Sequence, residues 1–470
     1  MKITQYALIL VALCCFSCRD VVNLERPEDY SNAGASTVAV TWSSVFESYW
    51  TGMNNNYLFW NIDPTDWDGV YNSYKPKFAA LDVTKNVDFL TAYRYFQNIT
   101  KDLVDGHYTL TISDLYGNTK YLDPSVARYY QKHGLNLYEY FDSGGNTSLL
   151  EKSPSFIHSD WWVERFSTPE LRSAVESRFT GNGGEYHAAA IGDRNDYGIN
   201  SSNFAMATGS LPVSGGRILY FQFTGFNYYD ITYCYAVRKD LYMKIDAANT
   251  AGKSDGELLT DPDLDPEWRL ALEIRDVMRK TLQFFDDLKK PDVKGVVIDL
   301  RGNGGGAILD LSFIWGRMIN QELTFAYTRS KLGDNRLDYT PWLPYKVFPA
   351  PDGVALMVPI VALVNIQSAS CSETSAMIAA ALPNGYVVGG TTYGAQGGIA
   401  DNRKYNGGQF TAPLLKLVYT PSLQVKYLDG KIYEGEGFPP DIPVEFDYDA
   451  LQAGTDTRLE AAINCVLEHQ

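Results

Sequence analysis

Two apolar runs, each breaking into small residues, constrain this chain more than any other feature. Val354 to Val364 is rich in Val, Leu and Ile and gives way to Asn365-Ile366-Gln367-Ser368-Ala369-Ser370-Cys371-Ser372-Glu373. Beyond it, Thr374 to Leu382 is a small-residue helical stretch stopped by Pro383-Asn384-Gly385. The pattern reads as strand, turn and helix, with hydroxyls at the junction, where a helix N-terminus favours developing negative charge. Upstream, Gly295-Val296-Val297-Ile298-Asp299-Leu300 runs into Arg301-Gly302-Asn303-Gly304-Gly305-Gly306, a second strand opening into a glycine loop.

Each piece also has a plainer reading. Ser370 to Glu373 fits a capping box, with Ser370 accepting from the Glu373 N–H and Glu373 reaching back. The glycine loop fits a turn or an anion nest. No Gly-Lys-Ser or Gly-Lys-Thr follows it, and it lacks the dinucleotide-binding spacing, so nucleotide binding of either kind is not indicated. Asp299 and Arg301 read as a strand-end pair bracing the loop.

The chain has 470 residues, room for two or three units. Its formal charge of −16 argues against nucleic acid and anionic membrane surfaces, which are bound through clustered Lys and Arg. Met1-Lys2 followed by Ile3 to Ser17 has the basic start and short apolar run of a secretory signal, and Phe16-Ser17-Cys18 resembles a bacterial lipobox with Cys18 as the lipidated residue. The expected location is therefore the cell envelope, with the protein anchored to the outer membrane through lipid alone. Once the signal is removed and Cys18 acylated, Cys234, Cys371 and Cys465 remain, too few for a disulfide framework. Five scattered histidines, without His-Glu-x-x-His or Cys-x-x-Cys, give no metal site, and no organic cofactor is indicated.

The expected organisation is a signal over 1–17, a polar tether over 18–36, a helical N-terminal domain over 37–115, a divergent middle segment over 116–210 and a catalytic core over 211–470. Helical spacing is clear in Trp42, Val45, Phe46, Tyr49 and Trp50, and again in Phe89, Leu90, Tyr93, Phe96 and Ile99. The core alternates strands, beginning at Gly216 to Phe223, with a helix over Pro266 to Lys289 and the helix after Ser370. That alternation predicts an α/β layered core within a multidomain α/β (α+β) chain.

In this order and spacing, the glycine loop and Ser368-Ala369-Ser370-Cys371-Ser372-Glu373 resemble the S41 family of serine peptidases, the C-terminal-processing or tail-specific proteases and their tricorn-like relatives. Asn55 to Trp60 and Asp66 to Tyr71 look like the opening of bacteroidete-type members. The resemblance implies an S41-type, ClpP/crotonase-like core and hydrolysis of peptide or protein substrates. The loop that would mark a PDZ domain is missing from the middle segment, which removes the basis for expecting recognition of C-terminal tails.

Matched residue by residue, the resemblance makes Ser370 the nucleophile. Cys371 N–H becomes one oxyanion donor, and Gly305, with Gly304 as alternative, the other. One family branch takes its base from a lysine in a Gly-Lys-Gly, but that position here is Ala395, after Gly389-Gly390-Thr391-Thr392-Tyr393-Gly394. The tricorn-like branch uses a histidine and a late glutamate, matched by Leu103-Val104-Asp105-Gly106-His107-Tyr108 and Tyr433-Glu434-Gly435-Glu436-Gly437. His107 is thus the expected base and Glu434 its orienter, with Glu436 a near alternative. The rival expectation, from a different class, is a non-catalytic lipoprotein that keeps the fold to bind a peptide or other ligand.

Overall fold

The computed structural model describes residues 40–165, 168–192, 204–248, 255–261, 264–400 and 405–470. The signal, the tether and Cys18 lie outside the described residues.

Three helices open the described chain: α1 (Trp42–Asn56), α2 (Trp67–Ala79) and α3 (Asn86–Thr100). Thr41 caps α1 by accepting from Ser44 N–H (3.1 Å), and Ser44 Oγ accepts in return from Thr41 N–H (3.0 Å). Trp42, Val45, Phe46, Tyr49 and Met53 bury the i, i+3, i+4 face of α1 against Phe78 of α2 and Phe96 of α3. The unit is not purely helical. Strands β1 (Thr109–Ser113) and β2 (Thr119–Leu122) follow α3 and join a four-stranded sheet with partners from the far end of the chain.

The centre of the molecule is a seven-stranded sheet. In chain order its strands are β3 (Glu185–Ile191), β4 (Phe204–Val213), β5 (Gly216–Phe223), β6 (Val293–Asp299), β9 (Ile360–Val364), β10 (Gly385–Gly389) and β14 (Ile442–Pro443). They lie side by side as β14-β10-β9-β6-β5-β4-β3, parallel from β14 to β5 and antiparallel at β4 and β3. Side chains alternate between two apolar layers. Leu219, Phe221, Val296, Ile298, Ala362 and Val387 pack with helices α5 (Pro266–Asp287) and α6 (Cys371–Ala381). Ile218, Tyr220, Val297, Val361, Leu363 and Val388 pack with α4 (Pro169–Thr180) and α7 (Thr457–Glu468). The result is the layered α/β core that the alternation of elements predicts.

Two small sheets complete the fold. Strands β7 (Leu323–Arg329), β8 (Leu343–Val347) and β13 (Gln424–Tyr427) form one. In the other, β12 (Leu415–Tyr419) lies between β1 and β11 (Phe410–Ala412), with Leu110 opposite Val418. This pairing carries the residues after β12 to the turn that follows α3.

Two expectations need correction. The middle segment does not run to residue 210 as a separate domain, because α4, β3 and β4 belong to the core, and only short helices over 124–163 stand apart around Tyr130, Leu150 and Phe156. β3 is the outermost strand and most of it is exposed, so its sequence lacks the apolar run of a central strand. The strand before Ser370 is also shorter than Val354 to Val364: Gly353 packs against the backbone of Gly316 and Ile319, and pairing begins only after Pro359. Among the described residues, no helix is long and apolar enough to cross a membrane.

Candidate active site

Ser370 stands where β9 turns into α6, with φ 54° and ψ −115°. Only Ser370 and Leu414 among the described non-glycine residues have positive φ. Such a backbone costs about 1–3 kcal/mol and persists only where the surroundings impose it. Here they do. Ser370 N–H donates to the Ala395 carbonyl (3.0 Å) and to Glu373 Oε2 (3.2 Å).

The neighbouring serines have other work. Ser368 Oγ donates to the Leu300 carbonyl (2.8 Å) and accepts from Asn365 N–H (3.0 Å). Ser372 Oγ donates to the Asn303 carbonyl (2.8 Å). Both are fully buried and tie the serine turn to the glycine loop, whereas Ser370 is half-buried and lines a cleft of about 270 Å³.

Glu373, beyond its capping role, is the buried anchor of the neighbouring turn. Its carboxylate accepts from Thr392 Oγ1 (2.6 Å), Gly394 N–H (2.8 Å) and Ala395 N–H (2.6 Å). Burial pushes its carboxyl up to about 7 against these donors.

The glycine loop lies against the nucleophile. A Cβ added at Gly305 (φ 97°) would stand 2.6 Å from Ser370 Cβ and 2.9 Å from Cys371 N, so only glycine fits. Yet the Gly305 N–H donates to Asn303 Oδ1 (2.9 Å), which corrects its assignment as an oxyanion donor: its role here is close approach. Gly304 and Gly306 line the cleft with Cys371, and among the described residues the three amides N–H have no hydrogen-bond acceptor. Cys371 Sγ donates to the Gly306 carbonyl (3.1 Å), and burial pushes its thiol up to about 12, so it is inert at neutral pH.

A buried ionic cluster holds both loops. Arg301 pairs with Asp299 (2.7 Å), as the strand-end reading expects, and also with Asp456 (2.7 Å) and Glu164 (2.8 Å). Asn365 Oδ1 accepts from Gly302 N–H (3.2 Å) while its Nδ2 donates to Glu164 Oε2 (3.3 Å). The middle segment and the C-terminal helix thus fix the glycine loop and the serine turn.

His107 enters the same cleft from the turn before β1. Asp105 holds that turn, with Oδ1 accepting from His107 N–H (2.8 Å) and Oδ2 from Thr420 Oγ1 (2.6 Å). Glu434 is buried beside it and accepts from Gly106 N–H (2.9 Å), Gln396 N–H (2.9 Å) and Gly397 N–H (2.8 Å). Glu436 is exposed. Donor atoms of Asp105, His107 and Glu434 lie within 4.8 Å of one another, the only such group among the described residues with the spacing a cation could use. Because both carboxylates are already anchored by N–H and O–H donors, the arrangement suits an imidazole between acids better than a metal ion.

His107 Nδ1 is buried without a hydrogen-bond partner, and no bond joins the ring to Ser370 Oγ in this structure. Burial pushes the imidazole down to about 4 and the Asp105 carboxyl up to about 7; Glu434 is raised well above the usual carboxylate range, by burial and then by the charge of Asp105. A strained serine at a helix N-terminus, free amides around it and an imidazole in the same cleft are the parts of acyl transfer.

Residues 271–444 match the sequence profile of Peptidase family S41. Over that stretch, which holds the glycine loop, Ser370 and Glu434, the chain is similar to peptidase family S41. No curated protein matches the chain by sequence. Two solved structures similar to it are a candidate peptidase from Parabacteroides merdae (19% identity, TM-score 0.55, covering 91% of this chain and 98% of that one) and mature CPAF (11% identity, TM-score 0.51, covering 91% and 97%). At these identities the likeness shows the fold. The match over 271–444 supports a peptidase of the serine type. Ala395, at the position of the lysine in one S41 branch, is buried against the histidine turn: a Cβ on Gly106 would lie 2.8 Å from Ala395 Cβ and 2.3 Å from the Gly394 carbonyl oxygen.

Three participants escape a reading of the sequence. Asp105 and Glu373 look like turn and cap residues, and nothing in Gln396 announces a cleft-lining amide.

Proposed function

We propose that this chain is a serine endopeptidase of the cell envelope that hydrolyses peptide bonds through an acyl-enzyme. Ser370 attacks the carbonyl while His107 takes its proton and passes it to the leaving amine. Glu434, buried beside the turn that carries His107, orients the imidazole directly or through another hydroxyl. Cys371 N–H, at the first turn of α6, and a glycine-loop amide at Gly304 or Gly306 receive the oxyanion, an interaction whose loss costs about 3 kcal/mol of transition-state stabilisation. Water then attacks the acyl-enzyme, with His107 again as base. The observation that carries this reading is the strained Ser370 facing the same cleft as His107. The open distance between them fits a resting site, since catalytic hydrogen bonds often tighten only with substrate bound.

Labelling with a fluorophosphonate tests the reading. Wild type should label at Ser370, and Ser370→Ala and His107→Ala should not. Wild type that resists the reagent while still binding peptides would favour the non-catalytic alternative. Anchoring through Cys18 is the second element, motivated by the apolar run that ends at Ser17. Cys18→Ala should release the mature protein from the membrane fraction, and wild type already found in the soluble fraction would refute the anchor.

A further inference from the structure

Gln396 stands out among the buried polar groups. Its residue is 3% exposed, its side chain lines the cleft that holds Ser370 and His107, and neither its Nε2 nor its Oε1 has a protein partner. A buried amide lacking both of its hydrogen bonds is costly unless something else completes it. The backbone is no free hinge, because Gln396 N–H is bonded to Glu434 Oε2 at 2.9 Å, so the acid that flanks His107 fixes where the side chain starts. A second orphan shares the cleft: Thr328 Oγ1, on β7, is buried and also unpartnered. The other walls include Ile308, Tyr345, Thr374, Tyr419, Leu423 and Val425. No side chain lining the cleft carries a charge at neutral pH, since burial holds His107 and Cys371 neutral.

We infer that Gln396 is a substrate-binding residue that takes a main-chain amide of the bound peptide. Its Nε2 donates to the peptide C=O and its Oε1 accepts the peptide N–H, with Thr328 Oγ1 as an adjoining polar contact. A carboxamide offers one donor and one acceptor side by side, matching a peptide group, whereas the uncharged walls would leave a charged substrate side chain unpaired. The inference rests on Ser370 being the nucleophile.

The test compares two reagents that both end on Ser370: a fluorophosphonate on a plain alkyl chain, which has no amide, and succinyl-Ala-Ala-Leu diphenylphosphonate, which has several. Expected is a wild type that reacts faster with the peptidyl reagent. Gln396→Met, close in volume but without hydrogen bonds, should cut the peptidyl-to-alkyl rate ratio about tenfold or more, and Thr328→Val should cut it by a smaller factor. The Gln396→Met melting temperature should equal or exceed that of wild type, because a buried unpaired amide has been removed. Three results overturn the inference: a wild type with no preference for the peptidyl reagent, a ratio unchanged by Gln396→Met, or a lowered melting temperature with both reagents slowed equally, which is the mark of a structural role. If the alkyl reagent does not label Ser370 at all, the catalytic reading itself fails and the inference falls with it.

Discussion

Gly106→Ala isolates the placement of His107 from its chemistry. Gly106 does not have a positive φ, so alanine is compatible with its backbone and the effect is one of space. The new Cβ would meet the Gly394 carbonyl oxygen at 2.3 Å and Ala395 Cβ at 2.8 Å, where real Cβ atoms keep at least 3.0 Å. Neither neighbour is a flexible side-chain end, so the turn must retreat by about 0.7 Å to relieve the closer contact. That retreat also stretches the Gly106 N–H bond to Glu434, now 2.9 Å. A misplacement near 1 Å costs about 10²-fold in rate, so kcat/KM should fall some tens of fold, about 2 kcal/mol in the barrier. Overpacking should cost a further 1–3 kcal/mol or so of stability. Steady-state kinetics on a peptide that wild type cleaves, run beside thermal melting, separates the two effects. A variant that melts lower yet keeps kcat/KM within twofold would show that the position of His107 does not set the rate, and the histidine-base reading would have to be withdrawn.

Other expectations follow from the buried groups. Because a base must be neutral to accept a proton and burial pushes His107 down to about 4, kcat/KM should rise with pH below the ordinary imidazole range of about 6.5 and be level near neutrality; a limb centred above 7 would contradict it. Asp105, Glu373 and Asp310 are each pushed up to about 7 by burial, so the fold holds their protons more tightly than the unfolded chain does. Stability from these three is complete below their ordinary values near 4 and is lost as pH rises through 7. His107 works in the opposite sense, between about 4 and 6.5, as does His133, which burial also lowers, while Lys331, held down to about 8, does so only at higher pH. The melting temperature should therefore fall from pH 6.5 to pH 8, and a rise over that interval would contradict the assignment. Ser368→Ala removes the acceptor of the buried Asn365 N–H and should lower stability by about 1–3 kcal/mol, and Ser372→Ala, which takes one of two donors from the Asn303 carbonyl, by about 1 kcal/mol, while Ser370 still labels; loss of labelling in a well-folded variant of either would reopen the choice of nucleophile.

What the sequence disclosed was local. The serine turn is readable because strand, hydroxyls and helix follow one another within a few residues, and the glycine loop because only glycine tolerates that approach to Ser370. His107 and Glu434 were legible only through their motifs, since what brings them together is the folding of the C-terminal part of the chain back onto β1 and the turn before it. Arg301 shows the limit. Its bond to Asp299 spans two residues and could be anticipated, whereas Glu164 and Asp456 are 137 and 155 residues away and carry no periodic signal. Gln396 is harder still, because the absence of partners is a property of the packed cleft and leaves no trace in a glycine-rich stretch.

The choice of base comes down to which group occupies the space beside the nucleophile. The Ala395 carbonyl accepts from Ser370 N–H, so position 395 lies against the serine, where a side chain with an amine at its end could reach the hydroxyl. The histidine turn fills the space in front of Ala395 so closely that even one methyl on Gly106 would collide with it. A lysine at 395 needs four methylenes' worth of room in that same place, so it would displace the turn carrying His107, and with it the Gly106 bond to Glu434. On this reading the two bases exclude each other by volume. A small residue at 395 and a glycine at 106 are then a single requirement of the histidine arrangement, which explains why the missing lysine and the Asp105-Gly106-His107 turn occur in the same chain.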